Sequence, residues 1–480
     1  MSNNLLSLLS VVKRNELKKF TLMALLIFCI LFNYSFIHSL KDSLIIPNLG
    51  AEAANFIDLW VVLPVVFIFT LSYLKLSTLI TNREKLFYLI CSFFLIFFII
   101  FAFLLYPNLK SIKPSQIFIK ELIEELPHLK WFIIIYNDWP LALFNVFSEL
   151  WISTMLSLLF WQYANSVTSP EQAKRFYPMF GFIGNFSLIG CGILLKQVCI
   201  NSKAIEAIRY ITILIVLTGL ICMVIFRYLH TLAAKENLIL PISIYPNKRK
   251  LSFKESLKLI FSSEYLGLLA VAVIAYGITI NLAQGLWKAQ VIKLYPSTEE
   301  YILFMADYQK WVGIASIIVM LFTSIMVRKL SWLTSAIATP IIMLTTGSIF
   351  FSWISFDQLI IQFLSEHSYL IFAIFIGTIH IILAKSSKFS LFDATKELAY
   401  IPLEENLRDK GKAAVDLLGE RIGKSGGALL QSALFIMIPN ASYGQFAPLF
   451  LFVSICFWFI WLIAIKSLNK KYLDYVRKYR

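Results

Sequence analysis

Long apolar runs alternate with short polar loops along this chain. The runs fall at 20–40, 57–80, 86–106, 141–166, 178–196, 209–230, 265–287, 308–327, 331–354, 369–392, 421–439 and 447–466. Each approaches the roughly 20 residues that a tilted membrane helix needs. In hydrocarbon the backbone must satisfy its own hydrogen bonds, so such runs fold as helices. The pattern predicts an all-α polytopic membrane protein with about 12 transmembrane helices. The run Trp131–Tyr136 is too short to span and is expected at an interface. No small-residue cleavage site precedes the first run, Phe20–Leu40, so it reads as a membrane helix and not as a signal peptide.

The loops predict orientation. Lys13, Arg14, Lys18 and Lys19 precede the first run. Alternate loops then carry Arg83 and Lys85, Lys174 and Arg175, Arg328 and Lys329, and the tail ends in Lys470, Lys471, Arg477, Lys478 and Arg480. The intervening loops 355–368 and 440–446 hold no Lys or Arg. Basic loops stay inside, which puts both termini in the cytoplasm. Segment 107–140 falls outside despite four lysines, which Glu121, Glu124, Glu125 and Asp138 offset.

The longest basic loop divides the chain into an N-terminal six-helix half (1–230), a cytoplasmic linker (231–264) and a C-terminal six-helix half (265–480). Two such halves, related by an axis along the membrane normal, make a major-facilitator-like fold with its site between them near the midplane. Ser39-Leu40-Lys41 ending the first run and Leu286-Trp287-Lys288 ending the seventh are a faint internal echo.

Composition agrees. The chain is 59% hydrophobic and 15% charged, against about half and a quarter for soluble domains. The net charge of +15 reads in two ways: loop lysines that set topology, or a basic interior that draws in anions. The basic residues are scattered over short loops, which argues against a nucleic-acid partner. Cys29, Cys91, Cys191, Cys199, Cys222 and Cys456 form no C-x-x-C pair and read as small hydrophobes. The five histidines are too dispersed for a metal site. No cofactor is expected.

Against this background the ionisable residues in or at the edge of apolar runs stand out: Lys41, Glu149, Lys288 and Lys396. A charge at bilayer depth costs about 2.5–3.5 kcal/mol on insertion scales, so such groups face a polar cavity and handle a solute or ion. Three are lysines, which suggests an anion. Lys41 either snorkels beside Asp42 or meets phosphate on the cavity wall. Glu149 is too short to snorkel from mid-run, so it is protonated, pairs with a lysine, or touches substrate. Asn281, Gln284, Trp287 and Lys288 recur three or four apart and read as one cavity-lining face. Trp287 either stacks on a base or sits in the interfacial belt. Lys385 and Lys388 lie one turn apart, and Lys396 returns to their face if the helix persists. Lysine suits phosphate there as a mobile point charge. His380 is either a structural histidine or a proton relay. Gly423-Lys424-Ser425 fails as a phosphate loop, because position 418 is leucine and no strand precedes it. An ATP-driven pump or other enzyme is therefore not expected, and these glycines read as close helix packing.

These residues resemble a known family, the ATP/ADP translocases of plastids and obligate intracellular bacteria. The resemblance runs from about 18 to 470 and rests on Ser39-Leu40-Lys41-Asp42, Glu149-Leu150-Trp151 with Phe160 to Asn165, Ala173 to Tyr177, Asn281 to Lys288, Lys388 to Leu403, and Gly423 to Gly427. It implies a carrier that imports ATP in exchange for ADP, with phosphate, by alternating access across a bacterial inner membrane. Other members take other nucleotides, some by proton symport. The family's functional charges fall on Lys41, Glu149 and Lys396, and a fourth, a glutamate, is Gln284 here. That departure leaves open a relaxed exchange of other nucleoside phosphates. The carrier is expected to work as a monomer in the lipid bilayer. Outside this reading stand a sugar-phosphate or drug carrier of the same architecture and a receptor that binds nucleotide without moving it.

Overall fold

The computed structural model describes residues 12–80, 82–200, 202–236 and 262–478, together with residues 255 and 260. Most of the linker expected at 231–264 lies outside the described residues. The long helices are α1 (Leu17–Leu49), α2 (Ala51–Leu79), α3 (Arg83–Leu105), α4 (Trp139–Val167), α5 (Pro170–Cys199) and α6 (Ala204–Lys235). They continue with α7 (Glu264–Leu294), α8 (Thr298–Lys329), α9 (Trp332–Ser355), α10 (Glu366–Tyr400), α11 and α12 (Ala447–Lys478). Helix α11 is built of Glu405–Ala414, a wide π turn Val415–Gly419, and Glu420–Met437.

Eleven helices among the described residues are long and apolar enough to cross a membrane. They coincide with eleven of the twelve expected spans. The exception is α11, whose first turns after Gly419 carry Glu420, Arg421 and Lys424. The protein is an integral, multi-pass membrane protein. No strand occurs among the described residues.

Local chemistry sets several helix ends. Ser169 Oγ accepts from the backbone N–H of Gln172, and Gln172 Oε1 accepts in turn from the Ser169 N–H before Pro170 opens α5. The side chains of Ser263, Ser331 and Ser365 accept from the backbone of Leu266, Thr334 and Ser368 and so cap α7, α9 and α10, with no bond returned to the cap's own backbone among the described residues. Each satisfies a donor that a helix start leaves unpaired. The short run at 131–136 is a helix, Lys130–Asn137. Its Trp131 is buried against Phe56 and Phe435, with ring centroids 6.4 and 6.0 Å away. An ion pair between Lys113 and Asp138 neutralises one of the lysines that strained the expected topology there.

Small residues let the helices approach. A Cβ on Gly277 of α7 would lie 2.7 Å from Gly423 Cα of α11. The glycines around Lys424 thus pack helices, as expected. On α8, a Cβ on Gly313 would lie 2.9 Å from the Asn185 carbonyl oxygen of α5. Gly277→Ala pushes carbon into backbone that cannot rotate away, and overpacking of this kind costs about 1–3 kcal/mol. The variant is expected to melt at a lower temperature in detergent. An unchanged melting temperature would contradict this packing.

Candidate functional site

A cavity of about 500 Å³ lies between α1, α2, α4 and α5 on one side and α7, α8, α10 and α11 on the other. Pockets that hold drug-sized ligands span about 300–1,000 Å³. Cross-contacts seal one end. Lys288 Nζ lies 2.9 Å from Asp42 Oδ2, and Gln309 Nε2 donates to Ser39 Oγ at 3.2 Å. Asn55 Nδ2 donates to Gln431 Oε1 at 2.9 Å, and Lys196 pairs with Asp307 at 2.7 Å. From this seal the cavity runs toward the other end past Gly181, Met320 and Phe389.

The charged lining forms a chain of alternating sign. Glu149 Oε1 accepts from Lys41 Nζ at 2.8 Å, and Glu149 Oε2 lies 3.5 Å from Lys424 Nζ. Lys424 is also 3.3 Å from Asp58 Oδ2, and Asp58 Oδ1 accepts from Asn145 Nδ2 at 3.3 Å. Asp42 stands 4.0 Å from Lys41 and holds Lys288 on its other oxygen. Lys41 is only 5% exposed, so its ammonium depends on these partners. Lys385 pairs with no carboxylate among the described residues; its ammonium sits 5.3 Å from the Tyr308 ring centroid. Four lysines and three carboxylates line the cavity, leaving one positive charge in excess.

Wide π turns shape this lining. Asp58 lies within one, Ile57–Val62, and Glu149 sits just ahead of another, Ile152–Phe160. Such turns break the regular helical stagger and occur often at functional sites.

Six expected residues line the cavity: Lys41, Glu149, Asn281, Gln284, Lys288 and Lys385. Asn281 Oδ1 already accepts from Gln431 Nε2 at 2.7 Å. Gln284 makes no hydrogen bond among the described residues, which leaves its amide open to the cavity.

The other three stand apart. Trp287 is 1% exposed and donates to Thr378 Oγ1 at 3.0 Å, wedged beside Phe304 and Tyr308. At about 100° per residue, 281, 284 and 288 share a face, while 287 points well away from 281. It neither stacks in the cavity nor sits in an exposed belt. Lys388 turns to Asp393 and Glu420, at 3.5 and 3.4 Å. Lys396 pairs with Asp416 at 2.7 Å. The expectation that Lys396 shares the face of Lys385 required an unbroken α-helix. A π turn at Lys388–Phe392 intervenes, and its extra residue rotates the rest of α10 by about 100°.

Sequence reasoning missed Asp58, Asn145 and Lys424 as lining residues. Asp58 opens an apolar run and carries the same signal as Glu149. Lys424 drew notice only within Gly423–Gly427, as part of a failed phosphate loop and of a motif shared with the family. His380 is fully buried in the second set of helices, with Nδ1 2.8 Å from Thr346 Oγ1, and is not among the cavity's lining.

Solved structures share the architecture. A bacterial homologue of the iron transporter ferroportin in an inward-facing state matches with a TM-score of 0.61 over 95% of this chain and 99% of that one, at 14% identity. A D-xylose-proton symporter matches with a TM-score of 0.53 over 94% and 96%, at 12% identity. At such identities these matches establish the major-facilitator-like fold alone. Sequence relatives go further. ADP,ATP carrier protein 3 of Rickettsia prowazekii (strain Madrid E) is 41% identical over 481 residues, covering 96% of each chain. ADP,ATP carrier protein 1 of Rickettsia bellii (strain RML369-C) is 40% identical, covering 96% of this chain and 94% of that one. The model of the TLC ATP/ADP transporter family matches residues 2–472. A transporter architecture, a lysine-rich cavity between its helices and end-to-end likeness to named carriers converge: the chain belongs to the TLC ATP/ADP transporter family.

Proposed function

We propose that this protein carries adenine nucleotides across a bacterial inner membrane, importing ATP in exchange for ADP. The observation that carries the reading is the cavity's chain of lysines and carboxylates, with the Lys385 ammonium left unpaired. Glu149 engages Lys41 and Lys424, and Asp42 engages Lys288. A polyphosphate competes with these carboxylates for the same ammonium groups. ATP carries one phosphoryl group, and so about one negative charge, more than ADP. Mobile lysine point charges accommodate both without the fixed fork that arginine would impose.

Alternating access supplies the movement. In our reading the halves 1–230 and 265–480 rock about the cavity, with both termini cytoplasmic and the sealed end outward. Lys288–Asp42 and Lys424–Asp58 join the two halves, so cargo that loosens them also loosens the seal. Exchange results if the empty carrier, held by these pairs, reorients slowly.

One observation favours a broader substrate range. Gln284 brings a neutral amide to a lining position, and that amide has no protein partner among the described residues. The deciding experiment preloads expressing cells with labelled ATP and offers a panel of external nucleotides. External ADP and ATP are expected to chase the label fastest. Equal chase by other nucleoside phosphates would favour relaxed exchange. Chase by sugar phosphates instead, or no chase at all, would sink the nucleotide-exchange reading.

A further inference from the structure

The ion pairs outside the cavity form an ordered ladder between α10 and α11. Inward of the more exposed pair Lys412–Glu397, its first rung is Lys396 with Asp416, at 2.7 Å. Its second is Lys388 with Glu420, at 3.4 Å. Asp393 ties the two lysines together, 3.5 Å from Lys388 and 3.7 Å from Lys396. The next residues inward are Lys385 and Lys424, both of which line the cavity. The outer rungs therefore hold a carboxylate against each lysine, whereas the innermost level sets two lysines with no carboxylate from either helix.

Both helices carry a wide π turn at this ladder, Lys388–Phe392 on α10 and Val415–Gly419 on α11. A π turn holds one residue more than an α turn, and its relaxation would rotate one side of the helix by about 100° against the other. That rotation would take Lys385 or Lys424 off the cavity face. The ladder brackets both turns: Lys388 and Asp393 mark the two ends of the first, Asp416 lies in the second and Glu420 comes directly after it.

We propose that Lys396 and Lys388 are positioning residues. Their pairs with Asp416 and Glu420 pin the two π turns, so that Lys385 and Lys424, engaged by no carboxylate of α10 or α11 among the described residues, face the cavity, where the cargo's phosphates compete with Asp58 and Glu149 for Lys424. Lys396 acts through helix register and never touches the nucleotide. This rests on reading the cavity as a polyphosphate site. It departs from the direct substrate role that family resemblance implies for Lys396.

The two roles separate by rescue. Lys396→Gln removes one charge and leaves the half-buried carboxylates of Asp416 and Asp393 without their partner, whereas the double variant K396Q/D416N replaces the pair by two neutral amides able to bond each other. Half-saturation concentrations and maximal rates are measured over a nucleotide panel at matched membrane abundance. K396Q is expected to raise the half-saturation concentration by about tenfold, with a smaller fall in maximal rate, as a weakened interaction with a charged group allows. K396Q/D416N is expected to return to within about threefold of wild type. A double variant as impaired as K396Q would overturn the proposal and put Lys396 on the substrate. So would a K396Q protein that transports like wild type. A wild type that prefers another nucleotide overturns the ATP/ADP reading instead, and the variants are still ranked on that substrate.

Discussion

Cells making the Lys41→Gln variant are expected to take up ATP at less than about one hundredth of the wild-type rate, with undiminished protein in the membrane. Two losses combine. Lys41 is almost fully buried, and its ammonium bonds Glu149 at 2.8 Å. Removing one partner of a buried pair costs about 3–5 kcal/mol, because the other charge stays behind without it. Lys424 at 3.5 Å offsets only part of that for Glu149. The cargo's phosphates also lose a cation in the cavity. The first loss bears on stability and the second on rate; each 1.4 kcal/mol of lost phosphate binding is about tenfold in an equilibrium, so about 2.8 kcal/mol reaches a hundredfold. The double variant K41Q/E149Q separates the losses. It removes the stranded carboxylate and is expected to recover thermal stability, yet it stays slow because the phosphate contact is still missing. Uptake by K41Q within a few-fold of wild type would remove Lys41 from the mechanism.

The helices are readable in the sequence because apolar runs in a membrane admit few folds. Only α11 strains that reading, since its polar first turns face the cavity and α10 instead of lipid. Lys41, Glu149 and Lys288 are readable for the same reason: a charge in a greasy run needs a partner or a cavity, and each has both. The misplacements have two causes: ideal periodicity itself turns Trp287 away from Asn281, whereas Lys396 marks where helix periodicity fails. Placing Lys396 beside Lys385 extends ideal α-helix across eleven residues, and the π turn at Lys388–Phe392 lies between. No residue type announces such a turn. Partner choice is also hidden. Sequence proximity pairs Asp42 with its neighbour Lys41, yet it lies closer to Lys288, 246 positions away, at 2.9 Å against 4.0 Å. That pairing depends on how α1 and α7 meet, which neither segment encodes alone.

The same pairing gives the second large effect. In wild type, uptake into ADP-loaded cells is expected to exceed uptake into unloaded cells by a wide margin, because an empty carrier must break its own ion pairs to reorient. Asp42→Asn removes the carboxylate that joins Lys288 of α7 to α1. Both groups are largely buried, with side-chain exposures of 16% and 4%, so the pair is little screened by solvent. Its loss is expected to cut the loaded-to-unloaded ratio by about tenfold or more, the equivalent of 1.4 kcal/mol taken from the sealed empty state. Lys424–Asp58 and the hydrogen bonds around Gln431 still close that end, so the variant is expected to remain folded and to keep exchanging nucleotides. The substitution also makes the cavity more positive, which tightens nucleotide binding and slows release. That effect lowers the maximal rate with either loading and leaves the ratio alone. An Asp42→Asn protein that reaches the membrane and keeps the wild-type ratio would show that this seal does not enforce exchange.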